Sequence, residues 1–377
     1  MTEGAGLPEV QVGSARASPG ERVRGSLSIE LGGGAAVELP VVILQGTSEG
    51  PSVLVSGGMH GNEVNGVVAA NRVLHEIHPQ QLRGTLIVLP VLNPGGFAKE
   101  DRYVPQDGAD LNRAFPGAHD GTASQRLAFA LWDQVLPQVL VGVDFHDAGL
   151  RNVLLPHPRI HTLIEPLNPG ATDITLAMGQ LMGTDVILQR EGKAGMLATE
   201  ARHHLGVPVI NFEIGGAGIV MDDFVTRGLV GLTNLLKRLE MLEGVPQVPH
   251  VQFVLEERDI HKCSIGGVLT QRKELGEWVS AGEVVSTIVD PLTDGLEQVR
   301  ATRSGVLLSM QRRSRIEAGR SVFSLLAFDG DPSDLEALKN QPGQRVISCD
   351  DTRCAIIPNK VLALALQQWR SAPPPVL

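Results

Sequence analysis

The stretch GGMHGNEVNG, residues 57–66, connects a predicted β-strand to a predicted α-helix. The strand PSVLVS, residues 51–56, is short, apolar and rich in β-branched residues, and apolar residues recur at helical spacing downstream. The glycines mark the turn between the two elements. His60 and Glu63 are three positions apart on the first turn of the helix, so they lie on one face. Their side chains can point at one atom, for which a metal ion is the obvious candidate.

The composition of the 377-residue chain is that of a globular protein large enough for two domains, with 42% hydrophobic residues. A net charge of −10 without any basic tract argues against a nucleic-acid partner. No apolar run reaches the roughly 18 residues that span a bilayer, and the N-terminus lacks the apolar segment of a signal peptide. The three cysteines form no disulfide framework, which fits a reducing compartment. We therefore expect a cytoplasmic protein without a membrane partner.

Between about residues 41 and 245, strand-like runs alternate with helix-like runs. Helices are predicted at residues 123–136, around Leu176 and at residues 225–243, between strands such as VLVGVDFH and VPVINFEIGG. Regular alternation of this kind is typical of an α/β domain. We therefore expect a mixed, largely parallel sheet flanked by helices, and this domain carries the candidate site.

The chain on either side of the α/β domain is predicted to be rich in β-strands. Residues 1–40 contain two alternating segments broken by three consecutive glycines, the pattern of a hairpin that extends a sheet. A linker is predicted at residues 244–250, followed by a smaller all-β C-terminal domain over residues 251–330. For residues 331–377 we expect a loop, a small hairpin, a helix near residues 362–369 and a frayed end.

The predicted C-terminal domain contains a weak internal repeat. VSAGEVV at residues 279–285 matches IEAGRSV at residues 316–322, and the shared glycines, Gly282 and Gly319, are 37 residues apart (319 − 282). Two half-motifs of this kind resemble the barrel-sandwich hybrid fold of lipoyl and biotinyl domains. Those domains carry a modified lysine on the hairpin between the halves, whereas residues 288–305 contain no lysine. We therefore expect a barrel-sandwich-like fold without swinging-arm chemistry.

Polar residues that follow the predicted strands are the best candidates for chemistry, because ligands of open α/β sheets bind at the carboxyl ends of strands. His60 and Glu63 follow one strand, His146 ends VLVGVDFH, and Glu213 lies near the end of VPVINFEIGG. Two histidines and one carboxylate form the three-ligand shell of a catalytic zinc ion, whose fourth position holds water or substrate. A zinc ion bound in this way lowers the pKa of its water to roughly 7. Glu213, which is not needed as a ligand, can take a proton from this water as the water attacks a carbonyl. This combination predicts an amide hydrolase.

Further polar residues can serve the substrate and the ligands. Arg102 offers a guanidinium for a developing oxyanion, and Asn112 with Arg113 offers an amide and a fork for a substrate carboxylate. Asp144 alternates onto the same side of its strand as His146, so it is a candidate for orienting that histidine.

Four motifs in order, HGNE, DRYVPQDGADLNR, VDFH and NFEIG, resemble the succinylglutamate desuccinylase and aspartoacylase family of the zinc carboxypeptidase superfamily. The resemblance covers roughly residues 40–250, and a β-rich C-terminal domain is also a family feature. It implies one zinc ion per chain, bound by His60, Glu63 and His146, with Glu213 as the general base.

The same resemblance implies that Arg102 polarises the scissile carbonyl and that Asn112 and Arg113 hold a substrate carboxylate. The implied activity is zinc-dependent removal of the acyl group from a small N-acyl amino acid, with the C-terminal domain leaning over the mouth of the site and limiting entry. A homodimer would be common for such an enzyme.

Two other functions are compatible with the sequence. A zinc carboxypeptidase or cell-wall peptidase shares the ligand pattern and differs in the room around it, and a non-catalytic binding protein could retain a pseudo-active site. Glu213 could instead be a buried carboxylate paired with an arginine. His157 and His161 have the spacing of a ligand pair, but Pro158 argues against a helix there, and either histidine could simply line the pocket.

Overall fold

A computed structural model describes residues 7–32, 34–162, 174–249, 251–256, 258–328 and 344–348. The small hairpin and the helix predicted near the C-terminus lie outside these residues. Among the described helices, none is long and apolar enough to cross a membrane.

The helices are α1 (Val64–Glu76), α2 (Pro94–Ala98), α3 (Ala123–Gln134), α4 (Ile174–Leu181), α5 (Leu197–Leu205) and α6 (Asp222–Arg238). The strands up to the end of the α/β region are β1 (Val10–Val12), β2 (Ala15–Ala17), β3 (Arg22–Gly32), β4 (Ala35–Gln45), β5 (Ser48–Ser56), β6 (Arg83–Leu89), β7 (Val141–His146), β8 (Asn152–Thr162), β9 (Val186–Glu191) and β10 (Val209–Gly216). The strands that follow are β11 (Val251–Leu255), β12 (Asp259–Lys262), β13 (Gly267–Gln271), β14 (Trp278–Val279), β15 (Val284–Asp290), β16 (Gly295–Arg300), β17 (Ser304–Gln311), β18 (Arg315–Ile316), β19 (Ser321–Phe328) and β20 (Gln344–Ser348).

The main sheet is centred on four parallel strands in the order β10-β7-β5-β6. All six residues of β7 are buried, as expected for a parallel strand that is covered on both faces. Helices α1, α4 and α6 contribute to the core on one face, and α3 and α5 contribute to the core on the other. The predicted α/β fold with a mixed, largely parallel central sheet is therefore confirmed, and the carboxyl ends of these strands share one edge.

The predicted N-terminal hairpin is also present. β3 and β4 pair antiparallel, and β4 joins the main sheet by pairing antiparallel with β6. The prediction for the helix at residues 225–243 is wrong at both ends, because α6 begins at Asp222 and ends at Arg238. Two aspartates in its first turn and two basic residues in its last turn favour these limits through the helix dipole.

The β-rich C-terminal unit is joined to the main sheet by hydrogen bonds. β17 pairs with β8, and β11 pairs in parallel with β9. β13, β15, β16 and β18 form a separate four-stranded sheet, and the unit has an apolar core of its own. A C-terminal β unit thus exists, although strand pairing continues across the predicted boundary at residue 251.

The two halves of the internal repeat have the same local structure. A two-residue strand, a turn and a longer strand occur as β14-turn-β15 and again as β18-turn-β19. The glycine of each turn has a positive φ, 83° at Gly282 and 79° at Gly319, which a residue with a Cβ atom adopts only at a cost. The sequence repeat therefore reflects a structural repeat.

Candidate active site

Three of the predicted site residues meet at the carboxyl edge of the parallel strands. His60 and Glu63 lie in the turn between β5 and α1, and His146 is the last residue of β7. One potential ligand atom from each residue lies within 4.8 Å of those of the other two, and all three residues are buried. The turn before α1 lies next to the end of β7 because α1 packs closely on this strand at Gly66. A Cβ atom at Gly66 would be 2.4 Å from the Phe145 carbonyl oxygen.

Both imidazoles present their Nδ1 atom to the carboxylate of Glu63. His60 Nδ1 is 2.7 Å from Oε1, and His146 Nδ1 is 2.8 Å from Oε2. The opposite nitrogens are held by two other carboxylates, His60 Nε2 by Asp110 at 3.0 Å and His146 Nε2 by Asp144 at 2.7 Å. Histidines that bind metals usually donate their second ring nitrogen in this way. The two Nδ1 atoms are thus oriented as a metal-binding pair.

The two supporting carboxylates are themselves held in place. Asp144 is fully buried, and it accepts hydrogen bonds from Ser56 Oγ at 2.7 Å and from Asn211 Nδ2 at 3.4 Å. The geometry agrees with the orienting role expected of Asp144. Asp110 accepts from the Asn112 backbone N–H at 2.9 Å, and its role behind His60 was not predicted. The one feature of the sequence that could have indicated a role for Asp110 is its position at the start of the DLNR motif.

Burial and mutual charge shift the pKa values of the three candidate ligands. Burial lowers the pKa of each histidine, but nearby carboxylates raise it by more. At His60 these carboxylates are Glu63 and Asp110. At His146 they are Asp144 and Glu63. The pKa of Glu63 is raised by burial but lowered further by the two histidines, so it lies well below its usual range. A metal ion that binds to this group must displace protons from the imidazoles. Two imidazole nitrogens and a carboxylate are a donor set that suits zinc.

The candidate ligands open onto a cavity of about 670 Å³. Arg102, Asn112, Arg113 and Glu213 all line it, so the predicted site residues converge on one space. The C-terminal strands form another part of the wall, for example through Phe323 of β19. The C-terminal unit therefore forms part of the cavity wall.

Glu213 lies beside the candidate ligands on the neighbouring strand. β10 pairs in parallel with β7, with Glu213 aligned with His146. Oε1 of Glu213 forms an ion pair of 2.8 Å with Arg159 Nη1. Glu213 is therefore both a cavity residue and the arginine-paired buried carboxylate considered from the sequence. Arg159, which lies on β8, was not predicted.

The remaining predicted site residues contact their surroundings in different ways. Arg102 binds Asp110 through Nη2 at 2.9 Å and approaches Glu63 through Nη1 at 3.4 Å, so it is tied to the ligand group. Asn112 is buried and accepts a hydrogen bond of 3.0 Å from the Leu197 N–H through Oδ1, which leaves its Nδ2 donor for the cavity. Arg113 is exposed and lines the cavity next to Asn112.

Comparison with known proteins gives a family for this site and fold. Residues 49–239 match the model of the succinylglutamate desuccinylase/aspartoacylase catalytic domain. The chain is 27% identical over 294 residues to an N-alpha-acetyl-L-2,4-diaminobutyric acid deacetylase from Halomonas elongata. This match covers 76% of this chain and 85% of that relative. It is 26% identical over 217 residues to a succinylglutamate desuccinylase from Pseudomonas paraeruginosa, covering 54% of this chain and 61% of the relative.

A solved structure extends the likeness to the whole described fold. The crystal structure of a succinylglutamate desuccinylase/aspartoacylase from Rhodobacter sphaeroides superposes with a TM-score of 0.71 at 26% identity. The match covers 82% of this chain and 96% of that one, so it includes the C-terminal β unit as well as the α/β region. The chain belongs to the succinylglutamate desuccinylase/aspartoacylase family, whose relatives named above are deacylating hydrolases.

Proposed function

We propose that this protein is a zinc-dependent hydrolase that removes the acyl group from a small N-acyl amino acid. The observation that carries the proposal is the arrangement of His60, Glu63 and His146, with both Nδ1 atoms turned inward and Glu213 beside them in one cavity. The names of the relatives support the reaction class, since both describe removal of an acyl group from an amino acid.

The proposed metal site consists of His60, Glu63 and His146. When bound there, zinc supplies a Lewis acid that polarises an amide carbonyl and lowers the pKa of water to about 7. Asp110 and Asp144 keep the Nε2 atoms of the two imidazoles occupied, so that each histidine offers Nδ1.

Proton transfer is assigned to Glu213. Its Oε1 is held by Arg159, so Oε2 takes a proton from the attacking water and passes it to the leaving nitrogen. One carboxylate can perform both proton transfers, because giving the proton to the leaving nitrogen returns Glu213 to its ionised form. Arg102, held beside Glu63 at 3.4 Å, stabilises negative charge on the carbonyl oxygen in the transition state.

Substrate recognition is assigned to Asn112 and Arg113, which offer an amide donor and a guanidinium to a carboxylate. A cavity of about 670 Å³ with a wall from the C-terminal unit has the size of a small-molecule site, since such sites measure roughly 300–1,000 Å³. This size favours an acyl amino acid over an extended peptide, which is the substrate of the alternative peptidase function.

The direct test is amine release from N-acetyl, N-succinyl and N-formyl amino acids and from short peptides, with and without a zinc chelator. We expect chelator-sensitive release from acyl amino acids, restored by added zinc, and no release from peptides. Cleavage of peptides alone would replace the proposal with a peptidase. Zinc binding without any turnover would favour a non-catalytic binding protein.

A further inference from the structure

The two histidines of β8, which have the spacing of a ligand pair in the sequence, make different contacts. His157 is fully buried, and its Nδ1 donates to the Leu155 carbonyl oxygen at 2.7 Å. His161 is also buried but lines the cavity, and its Nε2 lies 3.1 Å from Asn211 Oδ1. Of this pair, His161 is therefore the one that contacts a residue behind a candidate metal ligand.

A relay of three hydrogen bonds connects His161 to the candidate ligand His146. After the contact of His161 with Asn211, Asn211 Nδ2 donates to Asp144 Oδ2 at 3.4 Å. The same carboxylate oxygen accepts from His146 Nε2 at 2.7 Å. All four side chains are buried, and they come from the adjacent strands β8, β10 and β7. Asn211 is aligned with Asp144 on β7, so strand register keeps the middle of the relay together.

The donors of this relay follow from the chemistry of its members. A carboxylate only accepts, so Asn211 turns Nδ2 toward Asp144 and Oδ1 toward His161. Oδ1 also only accepts, so His161 carries a proton on Nε2. Burial lowers the pKa of His161 to about 4, so near pH 7 the ring is neutral and this is its single ring proton. Nδ1 is then an acceptor, and it is buried without a partner among the described residues.

His161 fixes the orientation of the Asn211 amide. A flipped amide would put Oδ1 in the place of Nδ2, facing the carboxylate of Asp144, and two buried acceptors repel each other. Among the described residues, Asp144 accepts from the side chains of Ser56, Asn211 and His146. A buried carboxylate depends on such donors for its position. Loss of the Asn211 donor would let Asp144 shift relative to His146.

We propose that His161 is a positioning residue: through Asn211 and Asp144 it orients the candidate ligand of β7 for metal binding. The inference rests on the proposed zinc-dependent function and deepens it, because His161 itself makes no hydrogen bond to a candidate ligand. The backbone of His161 is held from α5, since its carbonyl oxygen accepts from Arg202 Nη1 at 3.0 Å. A change at His161 should therefore alter the affinity for zinc and affect turnover only through the metal.

Titration of the metal-free protein with zinc, in competition with a chelator of known affinity, tests the proposal. His161→Phe keeps a ring but loses the N–H donor, so the zinc Kd should rise about threefold to tenfold, less than for loss of a direct partner of a ligand. His161→Gln keeps an N–H near the position of Nε2 and should return Kd to within about twofold of the wild-type value. In both variants KM for a hydrolysed acyl amino acid should stay within about twofold, since positioning does not hold the substrate.

A double-mutant cycle separates positioning from a general loss of structure. In the Asp144→Asn background the relay is already altered, so His161→Phe should change the zinc Kd by less than about twofold there. Asn211→Leu removes the middle of the relay and should raise Kd about as much as His161→Phe. His261→Phe is the matched control, because it replaces another buried histidine, in the C-terminal unit, and should leave Kd unchanged.

An unchanged zinc Kd in His161→Phe, or equal rises in the wild-type and Asp144→Asn backgrounds, would overturn the proposal. A rise in KM alone would also overturn it, because His161 would then be a substrate contact. If His161→Phe does not fold, the same cycle with Asn211→Leu decides. Failure of the proposed function is distinguishable: if no acyl amino acid is hydrolysed, yet the zinc Kd depends on His161 only while Asp144 is present, the deacylase assignment fails and the positioning role stands.

Discussion

At the scale of single residues, the candidate metal centre depends on the carboxylates behind its two histidines. Asp110 and Asp144 bind the Nε2 atoms, so the Nδ1 atoms are the ones that face Glu63. The sequence could predict the histidines because they follow strands, and it could suggest Asp144 from strand alternation. The partner of His60 could not be predicted, because Asp110 reaches it from a loop about 50 residues further along the chain.

Replacing Asp144 by asparagine should weaken metal binding without unfolding the protein. The amide keeps the shape of the side chain but loses the negative charge that makes His146 a better ligand, so we expect the metal Kd to rise about 10–100-fold. Titration of the metal-free protein with zinc measures this change. Asp133→Asn, at an exposed position of α3, is the control and should leave Kd unchanged. An Asp144→Asn protein with wild-type affinity would remove the residue from its supporting role.

Replacing Glu213 by glutamine should separate metal binding from turnover. The amide cannot accept and return a proton, so kcat should fall at least about 100-fold, while the metal content per chain stays that of the wild type. The two readouts are the initial rate of amine release and metal analysis of the purified protein. Substantial turnover in Glu213→Gln would show that another group transfers the proton.

At the scale of elements, β8 is one of the strands that the sequence did not predict. Pro156 and Pro158 argue against an interior strand, because proline cannot donate to a ladder. The structure accommodates them because β8 changes partner on one side: its pairing with β17 ends at Leu154, and its pairing with β9 starts at Arg159. Arg159 also lies opposite Asn211 of β10, which puts it on the same face as Glu213. A contact of this type depends on the register between strands far apart in sequence.

The packing of α1 on β7 should control the distance between the candidate ligands. In Gly66→Ala the new methyl group would be 2.4 Å from the Phe145 carbonyl oxygen, so the helix must move away from the strand. We expect the free energy of unfolding to fall by about 1–3 kcal/mol and the zinc affinity to fall with it, because Glu63 and His146 separate. Glu76→Ala, at the exposed end of α1, is the control. Unchanged stability and affinity in Gly66→Ala would contradict this role of the helix.

His157, one of the two buried histidines of β8, should make the protein less stable in acid. Burial, followed by the charge of Arg159, lowers the pKa of His157 to about 3, whereas an unfolded histidine titrates near 6.5. Below pH 6.5 the unfolded chain therefore binds a proton that the folded chain does not. The free energy of unfolding should fall as the pH decreases from about 6.5 to about 3, by up to about 4 kcal/mol from this residue.

Denaturant unfolding between pH 3 and pH 7 measures this dependence. In His157→Gln the free energy of unfolding should vary less with pH over that interval than in the wild type. His119→Gln serves as the control, because its imidazole is 80% exposed and should not change the slope. Equal slopes in His157→Gln and in the wild type would assign the acid sensitivity to other groups.

At the scale of the whole molecule, residues from the α/β region and from the C-terminal unit together line the cavity. The α/β region supplies the candidate ligands and Glu213, and the C-terminal unit supplies Arg258 and part of the cavity wall. The sequence predicted the first part, because ordered motifs and alternating elements are local signals. It could not predict the pairing of β17 with β8, or Arg258 in the cavity, since these contacts follow from tertiary packing between distant segments.

The central claim is that His60, Glu63 and His146 bind a catalytic zinc ion through the two Nδ1 atoms. Anomalous diffraction at the zinc absorption edge, from crystals of the zinc-loaded protein, tests it most directly. We predict one strong anomalous peak per chain, about 2.0–2.2 Å from His60 Nδ1, His146 Nδ1 and an oxygen of Glu63. A peak elsewhere, ligation through the Nε2 atoms, or no peak at this position at saturating zinc would contradict the claim.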